Sequence, residues 1–315
     1  GFIYVVVGNL HPPSYALAYV KYIPTRSVTP WKRTTYYLRK VIENHSARNI
    51  KKYSSLYQLV VRDPIFGTEI PVIREDQVLN HMMPEERLSE IVMKPLDSLE
   101  ELVVDIVEFI QENSGISVKY MGITGPILGR FHNIVLTNIA LVIYGCENAQ
   151  AYVESCSSVL KPIPRDKLSR WAISTSKIHG IPINDVFNLY RPYRRFLFRN
   201  KEVYVIMVDP RPERYGEKIF VNLSPIKVRA YVQPRQCSAL LYPSRVIIDK
   251  YQVMSESINL KFRIIEVTSY EYIYSPLLYE GGELIIEGLL QLVLPHNYYR
   301  ILVGGSEHPG FVKRL

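Results

Sequence analysis

The chain has no run of about 18 apolar residues, so no membrane-crossing helix is predicted. Its opening segment, GFIYVVVGNL, carries neither a basic leader nor a cleavage site, and no export signal is expected. Cysteine is scarce: Cys146, Cys156 and Cys237 are the three present, and none forms a C-x-x-C pair. That spacing argues against a zinc knuckle or a disulfide framework and suits a reducing interior, so a cytoplasmic protein is the plain reading. P-loop, G-x-S-x-G and H-E-x-x-H motifs are missing, which removes the footholds of several common enzyme classes. Gly304-Gly305-Ser306 leads into no helix pattern and reads as a terminal turn. His11, His45 and His81 lack metal-ligand spacing and read as loop or cap residues. There is no internal repeat and no low-complexity tract.

What is present points to a folded chain with an anionic partner. Nearly half of the 315 residues are apolar, enough for a sizeable core in two or three domains. The net charge of +8 favours nucleic acid, although solubility alone accounts for such a charge as well. Tyrosine outnumbers phenylalanine 24 to 10. Tyrosines can stack on bases, but most of these sit in strand-like runs and read as sheet surface or core.

The most informative stretch covers residues 118–145, VKYMGITGPILGRFHNIVLTNIALVIYG. It reads as a strand, the turn Thr124-Gly125-Pro126, a short helix from Ile127 to Arg130, a polar loop, and a second strand from Ile139 to Ile143. A strand feeding a helix through a glycine turn gathers N–H groups at one point, where they can hold an anion. The stretch resembles the opening of a polymerase-beta-type nucleotidyltransferase domain, and more narrowly an archaeal group of predicted nucleotidyltransferases. That group has a Gly-Ser turn followed by Asp-x-Asp on the next strand. Gly122, Gly125, Ile127, Leu128, His132, Ile139, Leu141, Val142, Tyr144 and Gly145 fit the frame. The chemistry does not survive: Pro126 replaces the serine, Asn138 the first aspartate and Ala140 the second. In active members those carboxylates hold divalent metal at the triphosphate. Asn138 offers only a neutral oxygen, Ala140 offers nothing, and Pro126 lacks both hydroxyl and N–H. The resemblance therefore implies a pseudoenzyme with no cofactor.

The fold expected is α+β, in three regions. Residues 1–95 form an N-terminal α+β region, 96–212 the nucleotidyltransferase-like α/β domain, and 213–315 a mostly β, barrel-like domain. In the first, GFIYVVVGNL, ALAYVKYIP and LYQLVVRDPIFGTEIPVIRED read as strands and turns, and residues 35–53 as a helix. Its cations Lys32, Arg33, Arg39, Lys40, Arg48, Lys51 and Lys52 read as a solvated face or a phosphate contact. Residues 84–97 read as a connection. Ser98-Leu99-Glu100-Glu101 looks like a capping box opening a helix whose apolar face ends before Gly115. Helices follow at ENAQAYVESCSSVL and DKLSRWAISTSKIHG, with Cys156 and Trp171 as core residues.

The strongest charge signal is Tyr190 to Lys201, which mixes Arg191, Arg194, Arg195, Arg199 and Lys201 with four aromatics. With Gly125 and Arg130 these are the candidate nucleotide- or nucleic-acid-binding residues, since guanidinium forks suit phosphate oxygens. Asp209, closing the strand that begins near Glu202, is the candidate third acid; an ordinary turn aspartate before proline is the plainer reading. If the C-terminal strands close into an OB-like barrel, Tyr231, Arg235, Tyr242, Arg245 and Lys250 are its candidate contacts with single strands. Three readings compete. The leading one is a catalytically inactive nucleotidyltransferase-fold protein that binds nucleic acid or nucleotide within a larger assembly. The second is an active, Mg2+-dependent enzyme with acids rebuilt from Glu147, Asp209 and Asn138. The third is a purely structural subunit with protein partners. None involves a membrane.

Overall fold

Alternation and periodicity place most of the elements, and one long strand organises the first region. The structure, a computed structural model, describes residues 1–42, 46–255 and 260–315. His45 and the side chain of Arg48 lie outside the described residues. Strands β1 (Ile3–Val6), β2 (Tyr15–Thr25), β3 (Trp31–Lys32), β4 (Tyr37–Lys40), β5 (Leu59–Asp63) and β6 (Thr68–Arg74) form one antiparallel sheet. β2 carries β6 on Tyr15–Leu17, β1 on Ala18–Tyr22 and β4 on Tyr22–Thr25. The helix expected over residues 35–53 is confined to α1 (Ala47–Ser54), capped by the Ser46 side chain. Its first half is β4, because the open edge of β2 offers a ladder and Leu38 becomes fully buried there.

In the central region the segment 84–97 is not a mere connection. Its first ten residues are helix α2 (Pro84–Met93), with proline at the first position, where a missing N–H costs nothing. Leu88 and Ile91 bury its inner face. α3 (Ser98–Ser114) follows, and its cap is Asp97, one residue earlier than expected: the carboxylate accepts from the N–H groups of Leu99 and Glu100. Gly115 ends α3 in the left-handed conformation, φ 72°. Then come β7 (Met121–Ile123), β8 (Ile139–Tyr144), α4 (Cys146–Cys156), α5 (Arg165–His179), α6 (Ile183–Leu189), β9 (Arg195–Phe198) and β10 (Lys201–Val208). The sheet order is β7-β8-β10-β9, with β8 and β10 parallel and the other pairs antiparallel. Gly122 lets α2 touch this sheet, since a Cβ there would stand 2.7 Å from the Pro84 side chain.

The last region is nearly all strand: β11 (Ile219–Val232), β12 (Ser244–Val253), β13 (Ile264–Ser269), β14 (Gly282–Leu294), β15 (Tyr298–Val303) and β16 (Phe311–Arg314), with α7 (Ser275–Glu280) between β13 and β14. β11 pairs with both β12 and β14, so the order β11-β12-β13-β15-β14 closes on itself. Only β13 and β15 run parallel. The fold is thus mixed α+β, and no helix among the described residues is long and apolar enough to cross a membrane. One hydrophobic cluster runs from Leu88 and Ile106 through Ile143 and Val205 into Ile226, Val246 and Ile301, across the expected 212/213 boundary.

The cysteines correct the sequence reading. Cys146 and Cys237 form a disulfide, Cα to Cα 5.3 Å, tying the start of α4 to the link between β11 and β12. Only Cys156 is free, a buried core thiol that burial pushes up to about 11.

A second junction joins all three regions. The Glu271 carboxylate accepts from Ala47 N–H at 3.4 Å and lies 3.4 Å from His179 Nδ1 at the end of α5. Burial pushes Glu271 up to about 8 and His179 down to about 4, so near neutral pH the contact joins a neutral acid to a neutral base. Unfolding returns Glu271 to about 4.5, so stability falls as pH rises from there to about 8. His179 acts over a lower window: stability falls as pH drops from 6.5 towards 4. Between pH 6.5 and 8 Glu271 contributes a loss of about 2 kcal/mol, opposed in part by Lys21, whose pKa burial lowers to about 8. Urea melts at the two pH values should show stability falling by about that much more in the native protein than in Glu271→Gln. An equal loss in both would rule Glu271 out as its source.

Candidate functional site

Asn138 and Ala140, which the resemblance aligns with the family's two aspartates, lie where β8 begins. Asn138 is exposed and immediately precedes β8; Ala140 is its second residue. The parallel ladder sets Tyr204 opposite Ala140 and Val203 opposite Ile139, which brings Glu202 beside Asn138 on the same face. β9 adds Arg195, paired with Tyr204 across the antiparallel ladder. The face therefore gathers Asn138, Ala140, Arg195, Glu202 and Tyr204, with Lys167 reaching in from α5.

Glu202 is the acid that sequence reasoning missed. Its carboxylate takes Arg195 Nε at 2.9 Å and Nη2 at 2.5 Å, Lys167 Nζ at 3.3 Å and the Tyr204 hydroxyl at 3.2 Å. Burial pushes Glu202 upward, but Arg195 and Lys167 outweigh it and hold the group below the usual carboxylate range. Tyr204 also bonds the Asn138 side chain, and burial pushes its hydroxyl up to about 12. Two cations against one carboxylate leave the cluster one positive charge. The one carboxylate of the cluster is already engaged by both cations and by the Tyr204 hydroxyl. An anion finds a net attraction. Strand alternation in Glu202-Val203-Tyr204-Val205 set Glu202 on the face opposite the core residues Val203 and Val205; that was the available signal.

Asp209 does not join this cluster. It follows β10 at the other end, five residues beyond Tyr204 and so about 16 Å along the strand. Its carboxylate is taken by Arg211 at 2.9 and 2.7 Å, which holds it below its ordinary value. It lines a cavity of about 700 Å³ together with Arg211, Glu213, Phe220, Leu241 and Arg245. Glu147 opens α4 at that same far end, exposed.

The glycine turn also differs from expectation. Gly125 has φ 73°, as its position requires, but Pro126 to Arg130 make turns rather than a helix. Phe131 folds back over the turn: its N–H bonds Pro126 O, and its ring would lie 2.1 Å from a Cβ on Gly129. The ring packs against Tyr22, 5.1 Å between centroids, anchoring the first region. The turn therefore does not open a helix. Arg130 turns to α2 and pairs with Glu90.

The basic segment is dispersed by its strand and turn geometry. Arg191 pairs with Glu280 at 2.7 Å and Arg199 with Asp105 at 2.6 Å. Arg194 is buried with its guanidinium 3.2 Å from the centre of the Tyr272 ring, and burial lowers its pKa. Lys201 donates to the carbonyls of Ile134 and Val135, both at 2.6 Å. Of the five, Arg195 reaches the cluster and Lys201 stands at its edge. Among the described residues one set of acids and histidine lies close enough to suggest a metal, Asp97, Glu100 and His132. Each of the three already serves the fold, since Asp97 caps α3 and meets His132 Nε2 at 2.8 Å, and Glu100 pairs with Arg87.

No protein-family model matches this chain, and no curated protein or solved structure matches it significantly.

Proposed function

We propose that this chain is a nucleotidyltransferase-fold protein without the transfer chemistry, which binds nucleic acid or nucleotide as part of a larger assembly. The observation that carries the reading is the net positive charge beside the two positions: Asn138 and Ala140 are neutral, and the neighbouring Glu202 is outweighed by Arg195 and Lys167. The element order α3-β7-β8-α4-α5-α6-β9-β10 supports the fold half of the reading. The closed ring of β11 to β15, with one parallel pair and a helix before β14, supports an OB-like barrel and with it a polynucleotide partner. Fold likeness alone does not establish a function, so the charge carries the argument.

The test is a binding and turnover assay on the full chain, with labelled nucleoside triphosphate, Mg2+ or Mn2+ and an oligonucleotide, at several salt concentrations. Expected are no incorporation, no metal dependence, and oligonucleotide binding that weakens with salt. Lys167→Ala should flatten the slope of log K against log salt by about 0.7 for a single strand. Incorporation lost in Glu202→Gln or Asp209→Ala would establish a rebuilt, Mg2+-dependent active site instead. A second reading, a structural subunit with protein partners only, is favoured by the internal partners of Arg191, Arg194 and Arg199. Absence of any salt-sensitive binding would decide for it.

A further inference from the structure

The loop entering β8 displays three consecutive aliphatic side chains to solvent. Ile134 is 46% exposed, Val135 79% and Leu136 64%. Single exposed apolar residues need no explanation, but three in a row on a surface loop do.

Their backbone is held rather than loose. Asn133 Oδ1 accepts from the N–H groups of Val135 and Leu136, each at 3.0 Å. Thr137 N–H donates to Asn133 O at 2.9 Å, and Thr137 Oγ1 accepts from Asn133 N–H at 2.9 Å. From β10, Lys201 Nζ reaches the carbonyls of Ile134, Val135 and Thr137. Nothing in this bonding requires aliphatic side chains at 134, 135 or 136, because it uses main-chain atoms of those residues only. The loop is thus a preformed tip, and a partner that packs on it has little ordering to impose.

The tip borders the cationic cluster. Asn138, two residues after Leu136, hydrogen-bonds Tyr204 in that cluster. Lys201 beneath the tip pairs with no carboxylate among the described residues, and it lies near enough to Lys167 for the two charges to repel. Lys167, Lys201 and Arg195 against Glu202 leave two positive charges beside the aliphatic tip. An apolar face beside a fixed anion is what an unpaired nucleotide offers. In a duplex the base faces are already stacked on one another.

We propose that the nucleic acid bound by this protein is single-stranded, with one unpaired base packed on Ile134, Val135 and Leu136 and the adjoining phosphate held by Lys167 in the positive field of Lys201 and Arg195. This rests on the nucleic-acid reading above. A base on the tip adds a contribution independent of salt, whereas the cations set the salt slope, so the two are separable.

The experiment titrates the full chain with a single-stranded 12-mer carrying one 2-aminopurine, and with the matching duplex, over a range of salt. The native protein should bind the single strand at least tenfold more tightly than the duplex and alter 2-aminopurine fluorescence. A variant with Ile134→Ser, Val135→Ser and Leu136→Ser should bind about tenfold more weakly at every salt concentration, with an unchanged slope. Leu136→Met, which keeps an apolar surface, should bind as the native protein does. Thermal melts of the variants establish that the fold is intact, and Val135→Ser alone serves if the triple variant does not fold. Equal affinity for strand and duplex, or a serine variant that binds normally, overturns the proposal while leaving nucleic-acid binding in place. No binding to either oligonucleotide by the native protein sinks the broader reading and this one with it.

Discussion

Glu100→Ala is expected to destabilise the protein by about 3 kcal/mol, because it leaves a buried guanidinium with only the half-exposed Glu90 as counter-charge. Arg87 keeps 6% of its side-chain surface exposed and Glu100 1%. Besides its bond to Glu100, Arg87 donates to Ile127 O at 3.3 Å and to Glu90 at 3.1 Å, and Glu100 accepts from Leu96 N–H at 3.0 Å. One buried pair thus joins α2, the entry to α3 and the turn that precedes β8. Desolvating two charges roughly offsets their attraction, so removing both is far milder than removing one. Arg87→Met combined with Glu100→Leu should recover most of the loss. Urea denaturation of the single and double variants reads the difference. Equal losses would show that only packing volume matters at this position.

Opening the disulfide is the second large effect. The bond between Cys146 and Cys237 spans 91 residues of sequence, and chain entropy assigns a closed loop of that length about 4–5 kcal/mol. The pair Cys146→Ser with Cys237→Ser should therefore lower stability by about 4 kcal/mol, as should reduction of the native protein. Cys156→Ser, at the free thiol, should leave the response to reductant intact. Urea midpoints with and without reductant measure this. A midpoint unmoved by reductant would mean that the two thiols are not joined in solution.

Elements whose signal is local and long are legible in the sequence. The 17 residues of α3 repeat an apolar face, and Gly115 marks their end, so the helix was legible almost to the residue. Its start shifted by one because Asp97 and Ser98 are both good caps, and sequence alone cannot choose which is non-helical. α2 was overlooked because Pro84 and Pro95 bracket a charged segment, although proline suits a first helical turn. Residues 35–53 carry a helical pattern throughout, but local pattern takes no account of the open edge of β2, which claims Tyr37–Lys40 as a strand. The expected helix after Gly125 gave way to Phe131, whose ring is drawn back over Gly129 by Tyr22, more than a hundred residues away in sequence.

The sequence by itself determined the mixed α+β character, the lack of a long apolar run that could cross a membrane as a helix, the glycine at the αL turn and the neutral residues at 138 and 140. These follow from residue identity, from periodicity, or from the steric limits on a single φ angle, none of which needs a distant partner. Only the tertiary structure decided the rest. The parallel register of β8 with β10 set Glu202 beside Asn138 and left Asp209 at the far end. The folding of β11 to β12 brought Cys237 to Cys146. The placing of Lys201 beneath residues 134–137 fixed three aliphatic side chains in solvent. Each depends on contacts between residues far apart in the chain. Composition and spacing do not encode register or closure, because those are settled by which faces can be buried together.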